Sequence, residues 1–120
     1  MKVAVTSTGP DLSSDLDPRF GRAAYFLVVE TDNMEFKVVE NAQNLNLPQG
    51  AGIQAAQTVA SQGAVALLTG NCGPKAFKVL NASGIQVITG AKGSIVDALR
   101  QYESGELKPA TDANVEGHWV

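Results

Sequence analysis

The chain has 120 residues, of which 44% are hydrophobic and 18% charged, with a formal net charge of −3. That length fits one compact domain with a real core, and the acidic balance argues against a general nucleic-acid or membrane-surface binder. A single cysteine, Cys72, rules out an internal disulfide framework, and no apolar run approaches the roughly 18–20 residues of a membrane span, so a reducing, cytoplasmic setting is expected.

Val3 to Thr6 is a short apolar run closed by Ser7-Thr8-Gly9-Pro10, which predicts a buried strand and a turn. Asp11 to Arg22 is a long loop rich in Asp, Ser and Pro. Ala24 to Glu30 is aromatic and β-branched, the clearest strand, and the turn Thr31-Asp32-Asn33-Met34 joins it to an edge strand, Glu35 to Glu40. The edge strand is charged at both ends, which guards it against open-ended pairing. A second polar loop runs from Asn41 to Gly50. From Ala51 the spacing becomes helical, with Ile53, Ala56, Val59 and Ala60 on one face and Gly63 as the stop.

Ala64 to Thr69 is continuously apolar, as expected of a strand covered on both faces. Gly70-Asn71-Cys72-Gly73 then leads into a helix with Pro74 at its first position, Ala76, Phe77 and Leu80 inside, and Gly84 at its end. Ile85 to Thr89 is the next strand. After Gly90-Ala91-Lys92-Gly93, Ser94 and Asp97 form a capping box for a third helix, whose buried stripe is Ile95, Ala98, Leu99 and Tyr102, with Gly105 closing it. Periodicity ends there, so the expected division is one α/β domain over residues 1–108 and a tail over 109–120.

The order β-β-β-α-β-α-β-α, with a hairpin first and right-handed parallel crossovers after it, predicts a five-stranded mixed sheet. The expected strand order is 3-2-1-4-5 with only the second strand reversed and helices on both faces, a ribonuclease H-like topology. The first strand is then central, and a crevice opens at its C-terminal end.

Three loops are expected to meet at that crevice: Ser7 to Ala23, Gly70 to Pro74 and Gly90 to Gly93. The last two are glycine-rich and enter helices, whose N-terminal N–H groups and partial positive charge suit an anion. Arg19, Arg22, Lys75 and Lys92, four of the nine basic residues, lie in these loops or at a helix start, although Asp11, Asp15 and Asp17 share the first loop. Cys72 is placed where a helix N-terminus would assist a thiolate, which makes it the one candidate direct metal ligand; the alternative is a small residue filling a loop. One cysteine cannot hold a conventional iron–sulfur cluster, so any cluster would arrive preformed. His118 stands alone in the tail, and no pattern specifies zinc or calcium. The spacing of a P-loop is absent, as is a GxGxxG after a strand. A serine nucleophile would lack a histidine within the domain, and a nuclease on this topology would need carboxylates that the first strand, Lys2 to Ser7, does not carry. A binding protein, not an enzyme, is the expectation.

Asp17-Pro18-Arg19-Phe20-Gly21-Arg22-Ala23-Ala24-Tyr25-Phe26, Gly50-Ala51-Gly52, Gly70-Asn71-Cys72-Gly73-Pro74-Lys75-Ala76-Phe77 and Gly90-Ala91-Lys92-Gly93-Ser94 together resemble the dinitrogenase iron–molybdenum cofactor biosynthesis family over roughly residues 1–108. The resemblance implies a ribonuclease H-like fold and noncovalent binding or carriage of a metal–sulfur species, as an iron–molybdenum–sulfur precursor or, in the orange-protein branch, a molybdenum–copper–sulfide cluster. Some relatives carry a histidine before the Phe-Gly-Arg-Ala segment where this chain has Arg19, which favours an anionic thiometallate held by charge. The implied contact set is Arg19, Phe20, Gly21, Arg22, Asn71, Cys72, Gly73, Lys75, Gly90, Lys92 and Gly93. The resemblance also implies partners: a cofactor-assembly protein or a ParA/MinD-like ATPase. The competing readings are an interaction or regulatory module that works with such an ATPase without a cluster, and a phosphate or nucleotide binder using the same glycine loops.

Overall fold

Val3, Ala4 and Val5 have no exposed surface, because the strand that carries them, β1 (Lys2–Ser7), lies in the middle of the sheet. In this computed structural model, which describes residues 1–41, 50–111 and 113, β1 pairs antiparallel with β2 (Tyr25–Glu30) and parallel with β4 (Ala66–Leu68). β2 continues through its turn into β3 (Glu35–Glu40), which is antiparallel to it and forms one edge, and β5 (Gln86–Ile88) runs parallel to β4 at the other. The strand order is β3-β2-β1-β4-β5, with β2 alone reversed, as the pattern of elements predicts.

Successive side chains of a strand point to opposite faces, and this alternation separates two apolar layers. Val3 and Val5 join Leu27, Val29, Ala66, Leu68 and Ile88 on one face. Helix α3 (Ile95–Glu103) covers that face with Ile95, Ala98 and Leu99. Ala4 joins Phe26, Val28, Leu67 and Val87 on the other face, beneath α1 (Ala51–Ser61) and α2 (Pro74–Ala82). Helices therefore lie on both faces.

The buried face of α1 differs from the expected one. Ala51, Gly52, Ala55, Ala56 and Val59 are buried, whereas Ile53 is only half-buried. The inner stripe is made of the smallest side chains, which lets this helix lie close to the sheet and to α2, and turns the larger Ile53 toward the rim. Val65 also departs from the expectation of a run covered on both faces. It stays in the ladder, donating its N–H to Lys2 O at 2.9 Å and accepting from Gln86 N–H at 3.0 Å, yet it is 47% exposed. It stands at the bottom rim of the sheet, before the helices reach over it. Tyr102 packs against its layer only in part.

The capping box at α3 forms as predicted: the Ser94 hydroxyl accepts the Asp97 N–H at 3.1 Å, and the Asp97 carboxylate accepts the Ser94 N–H at 3.4 Å. Two backbone donors that the helix cannot satisfy internally are thereby used. Beyond α3, Leu107 rests against the α3 layer, and Ala110 N–H donates to Val87 O at 2.7 Å, on the open side of β5. Most of the polar loop between Asn41 and Gly50, and His118, fall outside the described residues. No helix among the described residues is long and apolar enough to cross a membrane.

Candidate functional site

The C-terminal ends of β1, β4 and β5 release the three loops at one end of the sheet, and backbone hydrogen bonds stitch the loops together. The first loop donates Leu16 N–H to Gly93 O at 2.8 Å and accepts Asn71 N–H at Pro18 O, also at 2.8 Å. The second and third are joined by Gly90 N–H to Gly70 O at 3.0 Å and Ala91 N–H to Thr69 O at 3.2 Å. Bridges pair Asp15 with Ser94 and Arg19 with Asn71. The expected convergence is therefore present, and Arg19 is brought beside the loop that enters α2.

Glycine is required here for close approach. A Cβ on Gly70 would stand 2.8 Å from Pro18 Cα and 2.9 Å from Pro18 O, so the second loop lies directly against the first. Gly90 and Gly93 serve the third loop differently, with φ of 82° and 88°, in the left-handed region that side chains avoid.

The two helix N-termini at this mouth are not equivalent. At α3 the donors are already taken: Ile95 N–H goes to Ser14 O at 2.9 Å, Val96 N–H to Leu12 O at 3.1 Å, and the Ser94 and Asp97 N–H groups are used in the capping box. Hydrogen bonds from Ser94, then the neighbouring Arg100, hold the Asp97 carboxyl below its ordinary range, so a negative charge already sits at this end. The N–H groups of residues 94–97, among the donors expected around Gly93, are thus engaged within the protein. At α2, Gly73 is the N-cap, no side chain caps the helix, and Pro74 at the first position has no N–H to offer. Among the described residues no side chain fills this end; Lys75, in its first turn, and Arg19, bridged to Asn71 in the loop that enters it, are both exposed.

The remaining expected residues divide by burial. Lys92 is exposed and its carbonyl accepts from Gln101 Nε2 at 3.1 Å, while Arg22 and Asn71 are half-buried. The Asn71 side-chain amide donates to Pro18 O at 3.0 Å, adding to the main-chain bond between the same two residues. Phe20 has no exposed surface; its ring lies tilted at 37° to that of Phe26, with centroids 5.6 Å apart, inside the layer under α1 and α2. Gly21 is buried, and its carbonyl accepts from the Asn41 side chain at 3.1 Å. Phe20 and Gly21 are buried and anchor the first loop from below.

Cys72 too is wholly buried in that layer. Burial pushes its thiol up from 9.0 to about 12, the opposite of a thiolate assisted by a helix end. The neutral thiol is the form the fold favours, so its contribution to stability is complete below about pH 9 and is lost as pH rises toward 12. The urea midpoint is expected to fall between pH 8 and pH 10.5 in the wild type and to fall less in Cys72→Ala. An equal decline in both proteins would disprove this role for Cys72.

Sequence reasoning overlooked the groups that hold the loops in place. Thr6 and Thr69, at the ends of β1 and β4, are buried, and Asp17 is 6% exposed. A hydroxyl residue directly following each of the apolar runs Val3-Ala4-Val5 and Ala66-Leu67-Leu68 was the available signal. Among the described residues no group of three or more His, Cys, Asp or Glu side chains is placed to hold a metal ion.

Comparison with known proteins agrees with this architecture. The family model described as dinitrogenase iron-molybdenum cofactor matches residues 1–105. An uncharacterized protein of Methanocaldococcus jannaschii is 33% identical over 111 residues, covering 90% of each chain. The apo form of the orange protein from Desulfovibrio gigas superposes with a TM-score of 0.92 at 43% identity, over 95% of this chain and 96% of that one. A Thermotoga protein of the DUF35 family superposes with a TM-score of 0.82 at 34% identity, over 97% and 98%.

Proposed function

This chain belongs to the dinitrogenase iron-molybdenum cofactor family, and from that premise we propose that it binds or carries a preformed, anionic metal–sulfur species without covalent attachment. The observation that carries the proposal is the asymmetry of the loop mouth: α2 presents an uncapped N-terminus with Arg19 and Lys75 beside it, while the equivalent end of α3 is filled by the protein itself.

The donor chemistry supports charge and hydrogen bonding over ligation. An uncapped helix end carries about half a positive charge and unpaired N–H groups. Guanidinium and ammonium groups add charge-assisted hydrogen bonds to a sulfide or oxide surface. Lys92, exposed on the third loop, adds a further cation. A preformed cluster needs no set of protein ligands, which accords with a lone cysteine held neutral inside the core. We read the topology as ribonuclease H-like, with the mouth at the C-terminal end of the central strand, and the protein as a binder or carrier, not a catalyst. A molybdenum–copper–sulfide or iron–molybdenum–sulfur cluster meets the requirement of negative charge.

Purified protein incubated with tetrathiomolybdate and a copper salt is expected to co-elute with metal and to show a visible charge-transfer band. Affinity should fall at least tenfold in the Arg19→Gln/Lys75→Gln double variant and weaken as salt rises. Failure of the wild type to retain either metal, with the same result for an iron–sulfur precursor, would defeat the proposal.

A further inference from the structure

We infer that Thr6 is a positioning residue for the anion site, acting by fixing Arg19 beside the loop that enters α2. This rests on the anion-binding reading above and deepens it.

Thr6 lies at the C-terminal end of the central strand and has no exposed surface. Its hydroxyl donates to Asp17 O at 2.6 Å and stands 3.0 Å from the Thr69 hydroxyl. A hydroxyl has one proton to give, and the shorter contact takes it. The Thr69 hydroxyl is therefore the donor to Thr6. The chain of bonds runs from the end of β4, through the end of β1, into the first loop. Thr6 also accepts Asp17 N–H at its carbonyl, at 2.9 Å, so side chain and main chain together clamp one residue.

Asp17 passes the constraint on. Its carboxylate accepts Arg19 N–H at 3.0 Å and lies 3.9 Å from Arg19 Nε. The carbonyl of Pro18, between them, accepts from the Asn71 main-chain N–H and from its Nδ2, and Pro18 lies against Gly70. Arg19 is exposed, and these bonds are what hold its main chain beside Asn71 and its Nε near the Asp17 carboxylate. A buried threonine pair is also hard to explain by packing alone. Valine has nearly the same shape and brings no polar group into the core, so the hydroxyls must be repaid by the bonds they make.

The test is a double-mutant cycle of Thr6→Val and Arg19→Gln, read by affinity for tetrathiomolybdate with copper. Native-state amide exchange is followed in parallel. If Thr6 acts through Arg19, Thr6→Val should weaken binding about tenfold in the wild-type background and less than twofold in the Arg19→Gln background. Thr6→Ser, which keeps the hydroxyl, should restore it. The Asn71 amide should exchange at least tenfold faster in Thr6→Val while amides of β2 and β3 keep their rates. Equal losses of affinity in both backgrounds, or uniform acceleration of every amide, would overturn the inference, because Thr6 would then serve global stability alone. If the wild type takes up no thiometallate, the functional reading falls, and the exchange rate at Asn71 still decides whether Thr6 holds the loop junction.

Discussion

Phe20→Ala is expected to cost about 3–5 kcal/mol of folding stability, the largest single effect in the molecule. The ring is wholly buried, tilted against Phe26 in the layer that also holds Ala4, Leu67 and Leu80. Its removal leaves a cavity beneath the first loop, between the sheet and the two helices on that face. Small alanines dominate the adjoining face of α1, so few neighbouring side chains can swing in to fill the space. A domain of this size has a total stability of roughly 5–15 kcal/mol, so the variant should be folded but much closer to its unfolding midpoint. The measurement is urea denaturation, with Phe20→Leu as the conservative comparison, expected to lose far less. If Phe20→Ala kept its urea midpoint and lost only affinity for a thiometallate, the core assignment would be wrong and Phe20 would belong to the guest's surface after all.

Gly70→Ala is expected to cost roughly 1–3 kcal/mol by overpacking and to weaken guest binding in the same variant. The added methyl group would meet main-chain atoms of Pro18 at 2.8 and 2.9 Å, and main chain cannot swing aside as a side chain can. Relief requires the first and second loops to part, which strains the Asn71–Pro18 bonds and moves Arg19. Gly84→Ala is the proper control. Gly84 has φ of 78° and no atom within 4 Å of a Cβ, so its cost is conformational, about 1–2 kcal/mol, and it lies at the opposite end of α2 from the site. Loss of stability in both variants with loss of thiometallate affinity only in Gly70→Ala would separate a site effect from a fold effect. Unchanged affinity in Gly70→Ala would mean that the contact between the loops is irrelevant to binding.

Strand order and helix placement were readable in advance because they depend on local signals and chirality. The hairpin of β2 and β3 follows from two β-rich runs about a short turn, and the parallel crossovers admit one hand. The capping box at Ser94 and Asp97 depends on four consecutive positions and was equally visible. The complete burial of Cys72 and Phe20 was not legible in the sequence, for a common reason. A motif shows which residues travel together, but not which of them face inward, and both are anchors whose neighbours Arg19 and Lys75 face out. The blocked end of α3 was legible only in part: the capping box was, but the Ile95 and Val96 N–H groups are met by Ser14 and Leu12, some eighty residues earlier in the chain.

Hydrophobic periodicity and turn chemistry, properties of neighbouring residues, were thus enough to specify a five-stranded mixed sheet with its loops gathered at one end. That the Ile95 and Val96 donors at one of two similar glycine-rich helix starts are engaged was settled by hydrogen bonds between loops remote in sequence. A backbone donor satisfied by a distant carbonyl leaves no trace in the residues around it, so availability at this mouth is a property of the folded chain alone.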